Sequence, residues 1–194
     1  MRTSGLFAAA AAIAVISGGA FAADDGPVKI GVLTDMSSLY ADVTGPGSLA
    51  AVQMAVEDFG GAVLGKPIEV ISADHQNKPD IGSTLARKWF DEEGVDVVAD
   101  VPTSSVALAV EDVTREKHKI ALMSAPASSD ITGKNCSPYT AQWTFDTYSL
   151  AHVTGGAVVK SGGDTWYFVT ADYAFGHALQ RDTATVVEAA ALHH

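Results

Sequence analysis

The sequence predicts an α/β fold in which helices cover both faces of a parallel sheet. Short runs rich in β-branched residues alternate along the chain with amphipathic segments of about 12 residues, which is the pattern of βαβ units. Apolar residues make up 47% of the chain and charged residues 18%, so the composition is that of a domain with a buried core.

Strands and helices are predicted in alternation. The strands are the β-rich runs at 28–34, 67–73, 95–99, 119–124 and 166–170. Apolar residues three and four positions apart indicate the helices between them. The residues that define the first three helices are Leu49, Val52, Val56 and Phe59, then Ile81, Leu85 and Trp89, then Val106, Val110 and Val113. Gly60 and Gly94 end the first two of these helices. A fourth helix spans about 147–160, and a last helix begins near Tyr173.

The first 22 residues have the pattern of a secretory signal peptide. Arg2 is followed by an apolar run from Leu6 to Ile16, which is well short of the ~20 residues that a membrane-spanning helix needs. Ala20 and Ala22 place small residues at the two positions that a signal peptidase reads. We therefore expect cleavage after Ala22, export to the periplasm and a soluble mature protein.

The chain is strongly acidic. Its net charge is −11, and this becomes −12 once a leader carrying Arg2 is removed. Nucleic acid and anionic membranes would repel such a protein, so neither is expected as a partner. Cys136 is the single cysteine, and it is either a buried free thiol or paired with a cysteine in sequence that is absent here.

No motif in the chain argues for catalysis. Residues 45–50 fit G-x-G-x-x-A, but about ten residues separate them from the strand that a dinucleotide motif should follow directly. Asp74 and His75 have no further ligand at metal-binding spacing. A G-x-S-x-G nucleophile elbow is absent, and Cys136 has no Cys-His signature around it. The sequence therefore predicts a non-enzymatic protein without a cofactor or a metal.

Hydroxyl side chains are concentrated in the loops that follow predicted strands, at 35–40, 100–105, 125–129 and 171–173. The carboxyl ends of parallel strands meet at one edge of a sheet, and ligands bind there. The Pro-Thr-Ser-Ser turn at 102–105 also begins a helix, whose free N–H groups suit a carboxylate. From spacing alone, helix capping by Thr103 or Ser104 is the simpler interpretation. Tyr40 and Tyr173 are by themselves typical surface aromatics.

Several segments, taken in order, carry a family resemblance. They are Lys29–Asp35, the Tyr40 loop with Gly45-Pro46-Gly47, Gly65–Val70, Pro102–Ser105, Ser124–Ser128 and Asp172–Gly176. Over residues 27–190 the chain resembles the type I periplasmic solute-binding proteins of ABC transporters, in particular the branched-chain amino-acid (leucine, isoleucine and valine) binding group. The resemblance implies two flavodoxin-like α/β lobes that close on a small solute.

The resemblance also implies how the chain is divided. Residues 23–145 would form the leading segment of the first lobe, and 146–190 would form the start of the second. Members of the family continue further, so we expect the second lobe to be incomplete. The family's acidic contact to a solute amino group would lie in that further part, and solute binding by this chain is therefore expected to be weak or absent. Residues 191–194 resemble an expression tag or a truncation scar.

The family's solute contacts carry over to the matching positions Tyr40, Thr103, Ser104, Pro126, Ser128 and Tyr173, and Trp143 is a further candidate because of its place in the chain. The residues at 103–104 and 126–128 would hold the solute carboxylate. The two tyrosines would line the cleft, with Tyr173 contributed by the second lobe. Trp143 lies near the crossover between the lobes, where it either walls an apolar solute or packs at the hinge.

On this resemblance the chain is predicted to be the extracytoplasmic solute-binding component of an ABC importer. Its solute would be an amino acid, or an aromatic or aliphatic acid or amide, and its protein partner would be a membrane permease. Two alternatives stay open. One is a ligand-sensing module of the same fold in a signalling system, and the other is a secreted α/β enzyme.

Overall fold

A six-stranded sheet forms the centre of the computed structural model, which describes residues 26–191. Its strands are β1 (Val28–Thr34), β2 (Ala62–Val63), β3 (Lys66–Asp74), β4 (Val97–Asp100), β5 (Ile120–Met123) and β6 (Thr140–Gln142). The order across the sheet is β2-β3-β1-β4-β5-β6, and every neighbouring pair is parallel except β2 with β3. The predicted α/β fold with a parallel sheet is thereby confirmed.

Helices separate most of the strands. They are α1 (Gly45–Phe59), α2 (Pro79–Asp91), α3 (Ser104–Lys117), α4 (Thr147–Leu150), α5 (Gly156–Lys160) and α6 (Ala174–Ala191). A π-helical turn at Ala151–Gly155 joins α4 to α5, so the predicted helix at 147–160 is one helical run. α1 ends at Gly60, whose φ of 99° is a left-handed conformation that other residues rarely adopt.

The main core lies between the sheet and the paired helices α2 and α3. Leu33 and Met123 from the sheet and Trp89 from α2 are at most 3% exposed. Trp89 lies directly against β1, because a Cβ placed on Gly31 would be 2.5 Å from its ring atom Cζ3. The packing of this tryptophan therefore requires glycine at position 31.

The other face of the sheet is only partly covered by α1, which contacts β1 and β3. Beside α1 lies a mainly apolar cavity of about 460 Å³, which we call the sheet-face cavity. Its walls include Val52 of α1, Ile68 of β3, Leu122 of β5, and Trp143.

The predicted strand at 166–170 is wrong: these residues form neither strand nor helix. Tyr167 and Val169 are 90% and 93% exposed. A strand is held by backbone hydrogen bonds to a neighbour, and no strand of the described residues lies beside this segment. The local β preference is present, but the partner that would satisfy it is not within residues 26–191.

Two short strands were not predicted. β2 contains two residues and forms a hairpin with β3 through Leu64 and Gly65, both of which have positive φ. β6 contains three residues at the edge of the sheet. Runs this short carry no periodicity that a sequence pattern can detect.

Cys136 is a free thiol but is exposed, so the expectation of a buried thiol is wrong. It lies in the loop between β5 and β6, away from the core. The predicted leader lies outside the described residues. Within residues 26–191, no helix combines the length and the apolar character needed to cross a membrane.

Candidate functional site

A cavity of about 330 Å³ lies at the carboxyl edge of the sheet, and we call it the edge cavity. Its walls come from the loops after β1, β4, β5 and β6 and from the start of α6. The side chains that line it are Tyr40, Val43, Thr44, Pro102, Thr103, Ser104, Ser124, Ala125, Ala127, Thr144, Phe145, Tyr173 and Phe175. None of these residues carries a formal charge, so polar contact with a ligand must come from hydroxyl and backbone groups.

Thr103 lines this cavity and has a hydroxyl group without a hydrogen-bond partner. The residue is 2% exposed and occupies the N-cap position of α3, yet its side chain makes no capping hydrogen bond. Its Oγ1 is buried without any hydrogen-bond partner in the described structure. Leaving a hydroxyl in this state costs about 1–3 kcal/mol, which a ligand oxygen could recover. Helix capping was the simpler interpretation of the sequence, but it does not explain the buried hydroxyl of Thr103, because this side chain forms no capping hydrogen bond.

The hydroxyl group of Ser104 accepts two hydrogen bonds from the loop after β5. Its Oγ accepts hydrogen bonds from the backbone N–H groups of Ala127 at 3.3 Å and Ser128 at 3.1 Å. These two bonds occupy both acceptor positions of the oxygen, so its hydrogen is left to donate. Ser104 is 2% exposed and lines the edge cavity.

The first turn of α3 adds backbone donors beside these hydroxyls. The first N–H groups of a helix have no partner within it, and its dipole places partial positive charge at that end. The turn is set by Asp100 and Val101, whose φ values of 79° and 50° are left-handed conformations that cost of order 1–3 kcal/mol each. This strained pair lies directly before Pro102 and Thr103 and orients them at the cavity wall.

Tyr40 and Tyr173 both line the edge cavity, and their hydroxyl groups are hydrogen-bonded to each other. Burial first, and then this hydrogen bond, raises the pKa of the Tyr173 hydroxyl well above its ordinary value. Next to it, the backbone N–H of Ala174 donates to Ser105 Oγ at 3.2 Å. The start of α6 is therefore attached to the start of α3.

Asp35 holds the Tyr40 loop in place. Its carboxylate accepts hydrogen bonds from the backbone N–H groups of Ser38 at 2.8 Å and Tyr40 at 2.9 Å, and from the Ser38 hydroxyl at 2.6 Å. Burial acts to raise the pKa of Asp35, but these hydrogen bonds outweigh it and lower the pKa. The charged carboxylate therefore orders the loop without facing the cavity.

Four of the predicted site residues, Tyr40, Thr103, Ser104 and Tyr173, come together around the edge cavity. Pro126 and Ser128 lie behind its wall, which Ala125 and Ala127 form instead. Pro126 accepts a hydrogen bond from Gln142 at its carbonyl, and Ser128 is fully buried.

Trp143 lines the sheet-face cavity rather than the edge cavity, and its side chain is 59% exposed. It is therefore not gathered with the other predicted site residues. The described residues also contain no group of three or more His, Cys, Asp or Glu side chains arranged to hold a metal ion.

Val43, Phe145 and Phe175 supply much of the apolar wall, and none of them was a predicted site residue. Phe175 lies two positions after Tyr173, within a segment that carried the family resemblance, so a signal for it was present. Val43 and Phe145 lie in loops without periodicity, and no pattern in the sequence distinguishes them from other exposed apolar residues.

The profile of the periplasmic binding protein family matches residues 27–193. No curated protein sequence is significantly similar to the chain. The match covers all the loops that form the edge cavity.

Solved structures of similar fold and sequence come from several bacteria. A periplasmic binding protein from Burkholderia mallei is 52% identical, with a TM-score of 0.82 over 84% of this chain and 44% of that one. A branched-chain amino acid ABC transporter periplasmic ligand-binding protein from Burkholderia xenovorans is 40% identical, with a TM-score of 0.73 over 84% and 43%.

A third structure carries a bound acid. It is an ABC transporter solute-binding protein from Rhodopseudomonas palustris in complex with benzoate, 25% identical, with a TM-score of 0.76 over 85% of this chain and 46% of that one. The chain thus spans less than half the length of each of these relatives.

Proposed function

The chain belongs to the periplasmic binding protein family, and from that premise we propose that it is the solute-binding component of an ABC importer and takes a small monocarboxylate. The observation that carries this proposal is that Thr103 lines the edge cavity and that its buried hydroxyl has no hydrogen-bond partner. The Ser104 hydroxyl and the first turn of α3 provide further donors beside it. Donors without any cation bind a carboxylate by charge-assisted hydrogen bonds.

The body of the solute would be apolar. Val43, Phe145 and Phe175, together with the rings of the two tyrosines, surround the space next to the donors. Such a wall suits a planar aromatic acid or a branched aliphatic chain. Two relatives support a solute of this kind, since one is named for branched-chain amino acids and another holds benzoate.

Binding of the solute would be coupled to the closure of two lobes. We propose that residues 23–145 and 146–190 belong to these two lobes. The solute would touch the start of α3 on one side and the start of α6 on the other. A ligand that contacts both sides favours the closed form over the open one. After export from a precursor cleaved near Ala22, the closed form would dock on a membrane permease.

The titratable groups of the edge cavity support binding rather than catalysis. Within the described residues these are Tyr40 and Tyr173. Because the pKa of Tyr173 is raised, its hydroxyl stays protonated at neutral pH and serves as a hydrogen-bond group rather than a base.

The proposal is tested by thermal unfolding of the purified chain with benzoate, leucine and benzamide at millimolar concentrations, where even weak binding raises the melting temperature by mass action. Benzamide is the matched control, because it keeps the ring and replaces the carboxylate by a neutral amide. We expect at least one acid to raise the melting temperature and benzamide not to do so. Equal shifts with benzoate and benzamide would exclude the carboxylate site, and no shift with either acid would count against a carboxylate site in this chain.

A further inference from the structure

The side chain of Asp182, in the middle of α6, is bonded to two separate parts of the chain. Its Oδ2 accepts hydrogen bonds from Ser129 Oγ and Thr147 Oγ1, both at 2.6 Å. Its Oδ1 accepts from Arg181 Nε at 3.0 Å. The carboxylate is 12% exposed, so these bonds are largely shielded from water.

Ser129 and Thr147 lie where the chain passes from the sheet to the C-terminal helices, and we call this pair the crossover. The Ser129 N–H donates to Thr147 Oγ1 at 2.9 Å, and the Thr147 N–H donates to the Ala127 carbonyl at 2.8 Å. Thr147 is fully buried and begins α4. The crossover is therefore a fixed point to which Asp182 fastens α6.

The crossover is continuous with the wall of the edge cavity. Ala127 and Ser128, directly before it, are held by the hydroxyl of Ser104. At the N-terminal end of α6, the N–H of Ala174 donates a hydrogen bond to Ser105 Oγ, and the Tyr173 hydroxyl is hydrogen-bonded to the Tyr40 hydroxyl. Asp182 lies about 12 Å along the helix from Ala174, at ~1.5 Å per residue. α6 is thus attached to the sheet side at two well-separated points.

We propose that Asp182 is a positioning residue that fixes the orientation of α6 and so directs Tyr173 and Phe175 into the edge cavity. The consequence for solute affinity depends on the proposed function, whereas the orientation of α6 does not. Burial acts to raise the pKa of Asp182, but the bonds from Ser129 and Thr147 outweigh it, so the carboxylate stays charged and accepts both hydroxyls.

The ion pair with Arg181 does not explain this arrangement. Arg181 is the next residue on the same helix, and its guanidinium also bonds α6 to Ser129 Oγ at 3.0 Å and to Asp130 Oδ1 at 3.0 Å. Its side chain is 45% exposed, so solvent weakens these bonds, whereas the side chain of Asp182 is only 12% exposed. The two hydroxyl bonds span 53 and 35 residues of sequence, and they are the more buried of the side-chain bonds that join the middle of α6 to the crossover.

The test measures the position of α6 directly in the full chain. Spin labels are placed on the exposed native Cys136 and on a cysteine introduced by Glu188→Cys, an exposed position of α6. We expect Asp182→Ala to broaden or displace the distribution of distances between the labels. Asp182→Asn should restore it, because both hydroxyls donate to one oxygen that the amide can replace. Asp58→Ala, which removes an exposed carboxylate from α1, is the matched control and should leave the distribution unchanged.

The same variants are titrated with benzoate and leucine. If the proposed function holds, Asp182→Ala weakens binding by roughly 2- to 30-fold and Asp182→Asn by less. An unchanged distance distribution in Asp182→Ala overturns the positioning role, as does equal disturbance by alanine and asparagine. If asparagine restores a disturbed distribution but no variant binds a solute, the positioning role stands and the proposed solute binding by this chain is refuted instead. Should Asp182→Ala fail to fold by circular dichroism, Ser129→Ala replaces it with the same expected displacement.

Discussion

The phenolic hydroxyl groups of Tyr40 and Tyr173 are hydrogen-bonded to each other although the two residues are 133 positions apart in the chain. Tyr40 lies in the loop after β1, and Tyr173 lies directly before α6. One hydroxyl donates to the other, so the pair keeps a single hydrogen for any further acceptor. The edge cavity is thereby bounded by a contact between the sheet and the C-terminal helices.

We expect a double-mutant cycle on this pair to show coupling. Tyr40→Phe and Tyr173→Phe each remove one hydroxyl and keep the ring. Each should lower the free energy of unfolding by about 0.5–1.5 kcal/mol, and the double variant should lose little more than either single one. Urea denaturation measures all four chains. Strictly additive losses would mean that the two hydroxyls do not interact in solution.

Thr103→Val should act in opposite directions on stability and on solute affinity. The valine removes a buried hydroxyl that has no partner, so the chain without solute should be unchanged or up to about 1–3 kcal/mol more stable. A carboxylate would lose a donor, and its affinity should fall roughly 10- to 100-fold. Thermal unfolding and calorimetric titration give the two values. Thr103→Ser, which keeps the hydroxyl, is the control, and a valine variant that binds as tightly as the parent would refute this role of Thr103.

Glu111 should make the stability of the chain depend on pH. This carboxyl group on α3 is fully buried, and neither oxygen has a hydrogen-bond partner in the described structure. Burial raises its pKa from 4.5 to about 7. The folded chain therefore keeps a proton that the unfolded chain releases, and stability falls as pH rises through the window from 4.5 to about 7.

Glu111→Gln should remove this pH dependence, because an amide does not titrate. Above pH 7 the variant should be more stable than the parent by on the order of 1–3 kcal/mol, and at pH 4 the two should be similar. Urea denaturation at both pH values measures the difference. Glu116→Gln, at an exposed residue of the same helix paired with Arg87, is the control. A parent chain with equal stability at pH 5 and pH 8, and no gain in the variant, would contradict the prediction.

Gly31→Ala should destabilise the chain through Trp89. The added Cβ would lie 2.5 Å from the indole ring, so the ring must shift within a packed core, at a cost of about 1–3 kcal/mol. Tryptophan fluorescence and urea denaturation report the shift and the cost. In a Trp89→Leu background the same alanine should cost much less. Equal costs in both backgrounds would place the strain elsewhere.

Much of the fold follows from patterns within single segments. The predicted bounds of β1 coincide with the observed strand, and the stripe at Ile81, Leu85 and Trp89 lies within α2. The spacing of apolar residues and the types of side chain are properties of a single segment, so the sequence shows them without knowledge of the fold. The strand predicted at 166–170 fails for the complementary reason: its residues favour β structure, but pairing needs a neighbour that no local pattern supplies.

The candidate site was only partly predictable. Thr103 was a candidate because it lies in a turn between a strand and a helix, and that much is visible in the sequence. The sequence could not show that its hydroxyl is unbonded, because this depends on every group that surrounds it after folding. Trp143 was assigned to the same site by resemblance, and it lines the sheet-face cavity instead.

The sequence by itself determined the fold class, the family and the loops in which a ligand site was expected, because spacing and residue type express these features locally. Tertiary structure alone decided that Tyr40 meets Tyr173, that Ser104 holds the backbone of Ala127 and Ser128, and that Asp182 bonds to Ser129 and Thr147. These contacts join residues that are 23 to 133 positions apart. Their formation depends on how helices and sheet pack together, and no pattern within one segment encodes that packing.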